Sequence, residues 1–399
     1  MDILDYIRQC EREDRAQMEA YQAAKAAEAA NPSDKKDHDD ARRNGSSYSP
    51  PLVFPHSTQL ITGCHICPQQ SNLNRCGGCR VVYYCSHQHQ AADRRAHKAV
   101  CKSVINATAL LKADEEALRS HKGDEDTPPN AFETEVGHFW WYRGTRNYMK
   151  ARYTLMRILA PLDTRQAVQT ALEHALGIMH LNPEDPMCVR SIAAPLFLRL
   201  GRDQECYALC KWWVTTGCDV DYEWKGNKVV PHETLADAME ATDVFEGVRK
   251  YGPGSNSSAM PSFADLSYVV SVTLVKVRIL LHLKALQERK GASSEAPADQ
   301  EPRTFVSNIV ASRPEILNAE DQTMRIKEME RQVKRMYAVV QRVNKFFWPT
   351  LVKPGAHLMA NPLECSMGSE AEAQMKLQEC HNSWAETPGA IDVIRVLVR

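Results

Sequence analysis

Apolar residues recur at the three-to-four spacing of helices through most of the chain. Residues 2–30 carry a loose stripe (Ile3, Leu4, Ile7, Cys10, Met18, Tyr21) followed by alanines, which predicts an N-terminal helix. Residues 31–60 are polar, with Pro32, Gly45 and paired serines, and read as a linker. A helix is expected from about Cys101 to Ser120, then a charged connection at 121–131, then helical pattern from Phe132 to Leu159 with Phe139, Trp140, Tyr142, Tyr148, Tyr153 and Met156. Aromatic residues at that spacing usually face a core. Three further helices are predicted over 164–181, 186–200 and 203–215, punctuated by Leu181-Asn182-Pro183-Glu184-Asp185 and by Gly201.

Helical pattern resumes at 233–250 and 262–290, around a Gly/Ser/Asn loop at 252–258. Residues 217–231 look irregular, and Asp219 and Asp221 are too few oxygens for a calcium loop. The acidic-leaning stretch 291–304 reads as a linker. A long helix is expected over 319–348, ended by Trp348-Pro349. Gly368-Ser369-Glu370 opens another over 370–385, and the apolar 391–398 suits a short helix or a strand. The expected organisation is an N-terminal helix (1–30), a linker (31–60), a small module (61–102), a helical region (103–290), a second linker (291–304) and a C-terminal helical region (305–399).

The module at 61–102 departs from this pattern. Within it Cys64, Cys67, Cys76, Cys79, Cys85, His89, His97 and Cys101 fall as four pairs: C-x2-C, C-x2-C, C-x3-H and H-x3-C. A C-x2-C pair fits a tight turn with both sulfurs facing one ion. Ligands at i and i+4 share one face of a helical turn. Four such ligands close a tetrahedral zinc site, and two sites use all eight residues with no open position. Closed sites are structural, so no activated water is expected. A disulfide cluster would not need the histidines. So short a module buries too little apolar surface to fold alone, so metal binding supplies most of its folding energy.

The run Arg75 to Cys101, RCGGCRVVYYCSHQHQAADRRAHKAVC, resembles a MYND-type zinc finger, with Tyr84, Gln90, Asp93 and the His97-Lys98 step also in place. The resemblance implies a cross-brace, in which Cys64, Cys67, Cys85 and His89 share one zinc and Cys76, Cys79, His97 and Cys101 the other. Two positions depart. The family usually has Cys where His89 stands and an aromatic, usually Trp, where Arg94 stands. His89 can ligate through one ring nitrogen; His87 is the rival. The Arg94 change removes an apolar anchor from the peptide groove. His65, between two ligands, reads as an exposed loop residue.

MYND fingers accept proline-rich segments with an aliphatic residue after the prolines, and Pro50-Pro51-Leu52-Val53 just ahead of the finger looks like such a ligand. It can dock on its own finger or on that of another copy, or act as an ordinary extended strap. The helix–LNPED–helix–Gly–helix stretch at 164–216 is similar to a tetratricopeptide-like repeat, with one clear unit. Together with Gly368-Ser369-Glu370 and Trp384 to Ala390, the arrangement resembles a group of fungal MYND-finger proteins over roughly residues 60–395. That resemblance implies an architecture and no assigned chemistry. The expected fold is therefore mainly α: a small cross-brace two-zinc finger beside a larger TPR-like, solenoid-like helical body.

Composition narrows the function. Across 399 residues, 43% hydrophobic and 25% charged is ordinary for a soluble protein, and a net charge of −1 argues against a polyanionic partner for the whole chain. The finger is locally basic, with Arg75, Arg80, Arg94, Arg95, Lys98 and Lys102 against Asp93. Of the other cysteines, Cys206 and Cys210 are the nearest pair, and core packing suits them. Asp2, Asp5 and Arg8 interrupt any leader-like run, and Lys276, Arg278 and His282 mark 266–286 as a buried helix rather than a membrane span. A cytoplasmic or nuclear setting is expected.

The reading is a non-enzymatic adaptor that binds two Zn2+ and proteins with proline-rich motifs. The alternatives are a nucleic-acid-associated transcriptional regulator using the basic face, and a divergent SET–MYND methyltransferase. For the latter, neither the Asn-His-Ser-Cys stretch nor the Gly-Glu-Glu turn is present. G-x-S-x-G, P-loop and H-E-x-x-H motifs are also absent.

Overall fold

A computed structural model of the chain describes residues 59–217, 236–246, 265–291, 306–362 and 365–398. The sole sheet among the described residues is a hairpin of two short strands, β1 (Asn74–Arg75) and β2 (Tyr83–Tyr84). The rest of the regular structure is helical, as the pattern predicts. The N-terminal helix, most of both linkers (31–58 and 292–304), the irregular 218–231 and the 252–258 loop fall outside the described residues, as does Pro50-Pro51-Leu52-Val53.

Helix α1 (His87–Arg119) starts inside the finger and runs into the body without a break. Its 33 residues contain neither Gly nor Pro, so nothing local stops it. The Ser86 hydroxyl caps it by accepting from His89 N at 3.2 Å. The first four turns carry His89, His97 and Cys101. The later turns bury Val104, Ala107, Leu111 and Leu118 against α2 (Arg146–Leu159). Then α3 (Arg165–Leu181), α4 (Val189–Arg199) and α5 (Asp203–Thr215) each pack on the helix before. The Asn182 side chain accepts from Trp140 N, and the Asp185 carboxylate accepts from Val189 N and Arg190 N, so the LNPED stretch is a structural stop-and-start signal.

From α6 (Leu266–Gly291) onward the contacts reach back across the chain. This helix packs on α4, α5 and α7 (Thr323–Val343). Every described residue from Leu266 to Leu280 is buried, and a helix apolar on all sides belongs in a core. It is long and apolar enough to cross a membrane; here it is the centre of the body. Helix α8 (Phe347–Val352) leads to α9 (Glu370–Ala385), which returns to α4, and α10 (Ala390–Val398) closes on α6 and α8. The indole rings of Trp348 and Trp384 meet edge-on where α8 and α9 cross.

Several expected boundaries move. Instead of one helix over 319–348, α7 stops at Val343, because Asn344 turns its amide to Ser369 O and Glu372 Oε2, both at 2.8 Å. Pro349 sits inside the first turn of α8, where its missing N–H costs nothing. The 132–159 pattern is split into a turn at Ala131–Thr134, a 3-10 turn at Phe139–Trp141 and α2, with Gly137 at φ +101° between them. Cys188 at φ +53° delays the start of α4 to Val189. Within 236–246 only one helical turn forms, Asp243–Glu246. The 391–398 segment is a helix. Cys206 and Cys210 are buried core thiols in α5, and no metal-ligand group forms around them among the described residues.

Lys276 pins that turn region to α6. Its Nζ donates to Ala238 O at 2.6 Å and Glu240 O at 2.7 Å and lies over the Tyr207 ring. Burial holds its pKa at about 7, against the attraction of Glu240, Asp237 and Glu328, with Lys211 adding to the lowering. The unfolded chain keeps this proton up to about pH 10.4. Between pH 7 and 9 the unfolded state therefore binds more protons, and stability rises with pH by at most about 1.4 kcal/mol per unit. Thermal melts of wild type and Lys276→Met across that range test this: the upward slope should be present in the first and missing in the second.

Candidate metal centre

Two tight turns supply the first four cysteines. Cys64 N donates to Gln69 O at 2.8 Å, and Gly63 sits so close to the returning chain that a Cβ would lie 2.4 Å from Gln69 O. The second turn, Cys76 to Cys79, is closed by Arg80 N to Cys76 O and Cys76 N to Val82 O, with Arg80 at φ +61°. Gly78 lies against Cys101 Sγ and Ile105, leaving no room for a side chain. Cys85 follows β2, and α1 presents the last three of the eight side chains, His89, His97 and Cys101.

The eight side chains gather into two tetrads: Cys64, Cys67, Cys85 and His89, and Cys76, Cys79, His97 and Cys101. In the first, Cys67 Sγ is 3.6 Å from Cys85 Sγ, and His89 Nδ1 is 3.1 Å from Cys85 Sγ and 3.5 Å from Cys64 Sγ. In the second, Cys76 Sγ is 3.7 Å from Cys101 Sγ, and His97 Nε2 is 3.4 Å from Cys79 Sγ. A tetrahedral Zn2+ with Zn–S near 2.3 Å and Zn–N near 2.0 Å sets S···S edges of about 3.8 Å and S···N edges of about 3.5 Å. The donor set and its spacing fit zinc at both tetrads. The first and third sequence pairs meet, and the second and fourth, so the finger is cross-braced.

Residues 64–101 match the family described as the MYND finger. This segment is a MYND finger. It is similar over 52 residues to Egl nine homolog 1 of Mus musculus, at 46% identity and 13% of each chain. It is also similar over 58 residues to the histone-lysine N-methyltransferase ASHR1 of Arabidopsis thaliana, at 31% identity, 14% of this chain and 12% of that one. The human Egl nine homolog 1 gives 44% identity over 44 residues. The chain thus spans about an eighth of the length of these relatives. No solved structure matches it. MYND fingers are protein-interaction modules that bind two zinc ions.

Electrostatics prepare the MYND tetrads. Burial alone pushes the Cys64 thiol up, but N–H groups of Ile66, Cys85 and Cys67 and the His89 ring bring it down to about 6. Cys76 is lowered likewise by the amides of Cys79 and Gly78, against burial. Burial and neighbouring thiolates push Cys85 to about 11 and Cys79 to about 12. Each tetrad therefore has one thiol already inclined to ionise and another that ionises only beside a cation. Burial lowers the His97 pKa, against the pull of Asp93, which favours the neutral ring that a ligand must present. His87, the rival to His89, is exposed on the first turn of α1 and joins neither tetrad.

The MYND helix also contributes Asp93, a buried carboxylate that accepts from Tyr84 Oη and His65 Nδ1, both at 2.7 Å. His65 is thus not an exposed loop residue. Its side chain is 23% exposed, and its other nitrogen faces Asp163 at 3.7 Å. Asp163 and Asp93 raise its pKa against the pull of burial. Beside it Ile61 pairs with Asp163 and Arg165 through the backbone, Thr164 Oγ1 donates to Val81 O at 2.7 Å, and Tyr83 Oη donates to Gln166 Oε1 at 3.2 Å. The finger is clamped to the start of α3, roughly one hundred residues downstream. No local pattern signals that clamp. Arg94, where the family usually has an aromatic, is exposed on the outward side of α1.

Proposed function

We propose that this protein is a non-enzymatic, zinc-stabilised adaptor whose MYND finger binds proline-rich protein segments while its helical body offers a second docking surface. In this reading Cys64, Cys67, Cys85 and His89 hold one zinc, and Cys76, Cys79, His97 and Cys101 hold the other. The observation that carries it is the pair of closed tetrads on a finger built into the body by α1 and by the Asp163–Thr164 clamp. Each tetrad spends four ligands on one ion, so the metals brace a surface and have no position for substrate or water. A surface fixed in this way loses little freedom on binding a polyproline segment that is itself pre-extended. The thiolate ligands suit a reducing, cytoplasmic or nuclear setting.

Pro50-Pro51-Leu52-Val53 is the proposed internal competitor for the same finger. The test is titration of a free PPLV-type peptide into the full chain and into a variant lacking residues 45–58. Binding in both, tighter in the deletion, is the expected result. Equal affinity would remove the self-docking part, and no binding to either would remove the proline-rich reading. Binding of S-adenosylmethionine to the zinc-loaded protein would instead favour a methyltransferase.

A further inference from the structure

The outward face of α1 carries a second feature that zinc binding does not use. From Arg94 to Ala113 the chain has no acidic residue and five cations: Arg94, Arg95, Lys98, Lys102 and Lys112. All five are exposed, and none is in an ion pair among the described residues. At 100° per residue, Arg94, Lys98 and Lys102 follow one another along a single face, about 6 Å apart, and Lys112 returns to the angle of Arg94. The one acid of the finger, Asp93, is buried on the opposite side with Tyr84 and His65 and screens none of this face.

Ile105 lies within the same stripe. It is 42% exposed and covers Gly78 of the second metal turn, so an apolar spot joins the cationic row to the finger. A row of unpaired like charges on one rigid helix repels itself and gains from a complementary partner. An apolar side chain set among them gains nothing from phosphate but is buried by an apolar side chain of a protein. The whole chain has a net charge of −1, so no general attraction draws a long polyanion onto it.

We propose that the outward face of α1 is a docking site for an acidic protein segment, with carboxylates spaced to meet Arg94, Lys98 and Lys102 and an apolar side chain against Ile105. The inference deepens the adaptor reading by naming a second class of partner sequence on the finger's own helix. Arg94 then serves as a charge contact at a position where an apolar anchor is usual.

The test uses full-length, zinc-loaded protein and a fluorescent peptide carrying Glu at i and i+4 with one Leu per turn. The expected result is saturable binding that weakens with salt. It should fall at least ~10-fold when Gln replaces Glu in the peptide, and equally in Arg94→Glu/Lys98→Glu/Lys102→Glu. Ile105→Ser should weaken the acidic peptide severalfold and leave any duplex DNA binding unchanged. Zinc content reports folding of each variant. If the triple variant loses zinc, Lys102→Glu/Lys112→Glu, beyond the last ligand, replaces it with the same expected direction. Unchanged peptide affinity in the charge-reversed protein would overturn the proposal, as would tighter binding of duplex DNA that ignores Ile105→Ser. A PPLV-type peptide in the same assay separates the two readings. If it binds and the acidic peptide does not, only this proposal fails; if neither binds, the adaptor reading fails with it.

Discussion

Purified protein is expected to hold two zinc ions per chain, and chelation should unfold residues 61–86 while leaving most of the helical signal. Metal binding in such modules is worth ~10–16 kcal/mol and doubles as folding energy. Besides the metals, the short hairpin and its turns are held by a few polar contacts to Asp163, Thr164, Arg165 and Gln166, whereas α1 is braced along the body by Val104, Ala107, Leu111 and Leu118. New protease cuts should therefore appear between Ile61 and Ser86 and not in α2–α5. Cys64→Ala and His89→Ala should each lower the count to one zinc, because the tetrads share no ligand. His87→Ala should keep both. Two zincs in His89→Ala together with a loss in His87→Ala would reassign the eighth ligand.

The second large effect is expected far from the metals, at Arg278 in α6. This buried guanidinium donates to Asp203 Oδ1 at 2.5 Å, Leu198 O at 2.8 Å, Thr387 Oγ1 at 3.0 Å and Ser383 O at 3.3 Å. It ties the end of α4, the start of α5 and the end of α9 to the central helix. Burial pushes the Asp203 carboxyl up, and the guanidinium opposes that shift. Removing one partner leaves the other charge buried and unpaired, so Arg278→Leu should destabilise by about 3–5 kcal/mol. Arg278→Leu/Asp203→Leu should recover much of that loss, since the pair's own net contribution is small. Urea unfolding followed by far-ultraviolet circular dichroism gives both numbers. A single mutant within about 1 kcal/mol of wild type would show that the junction is held by apolar packing alone.

Much of the finger was legible because metal ligation is local and chemically narrow. Eight residues of two types at fixed short gaps leave few alternatives, and His89 against His87 follows from helical geometry: residue 89 lies one turn after Cys85, and residue 87 does not. Helix positions were legible for a similar reason. Thr164, Gly201 and Ser369 act on their own neighbours, so α3, α5 and α9 begin where caps and turns place them. Other boundaries failed at left-handed backbone positions such as Gly137 and Cys188, and one failed where a distant partner intervened. Asn344 ends α7 because its amide is claimed by Ser369 and Glu372 of the next helix region, and nothing within 319–348 announces that claim.

By itself, then, the sequence determined the eight side chains that gather into the two tetrads, the mainly helical body and its long, apolar central helix, since spacing, capping and burial tendency are properties of short segments. Only the tertiary structure decided that α1 is one helix joining finger to body, that His65 is a half-buried bridge from Asp93 to Asp163, and that α9 returns to α4 and Arg278 to the ends of three helices. Those contacts link residues up to some two hundred positions apart. Their partners are chosen by how the helices pack, and no periodicity along the chain encodes such a choice.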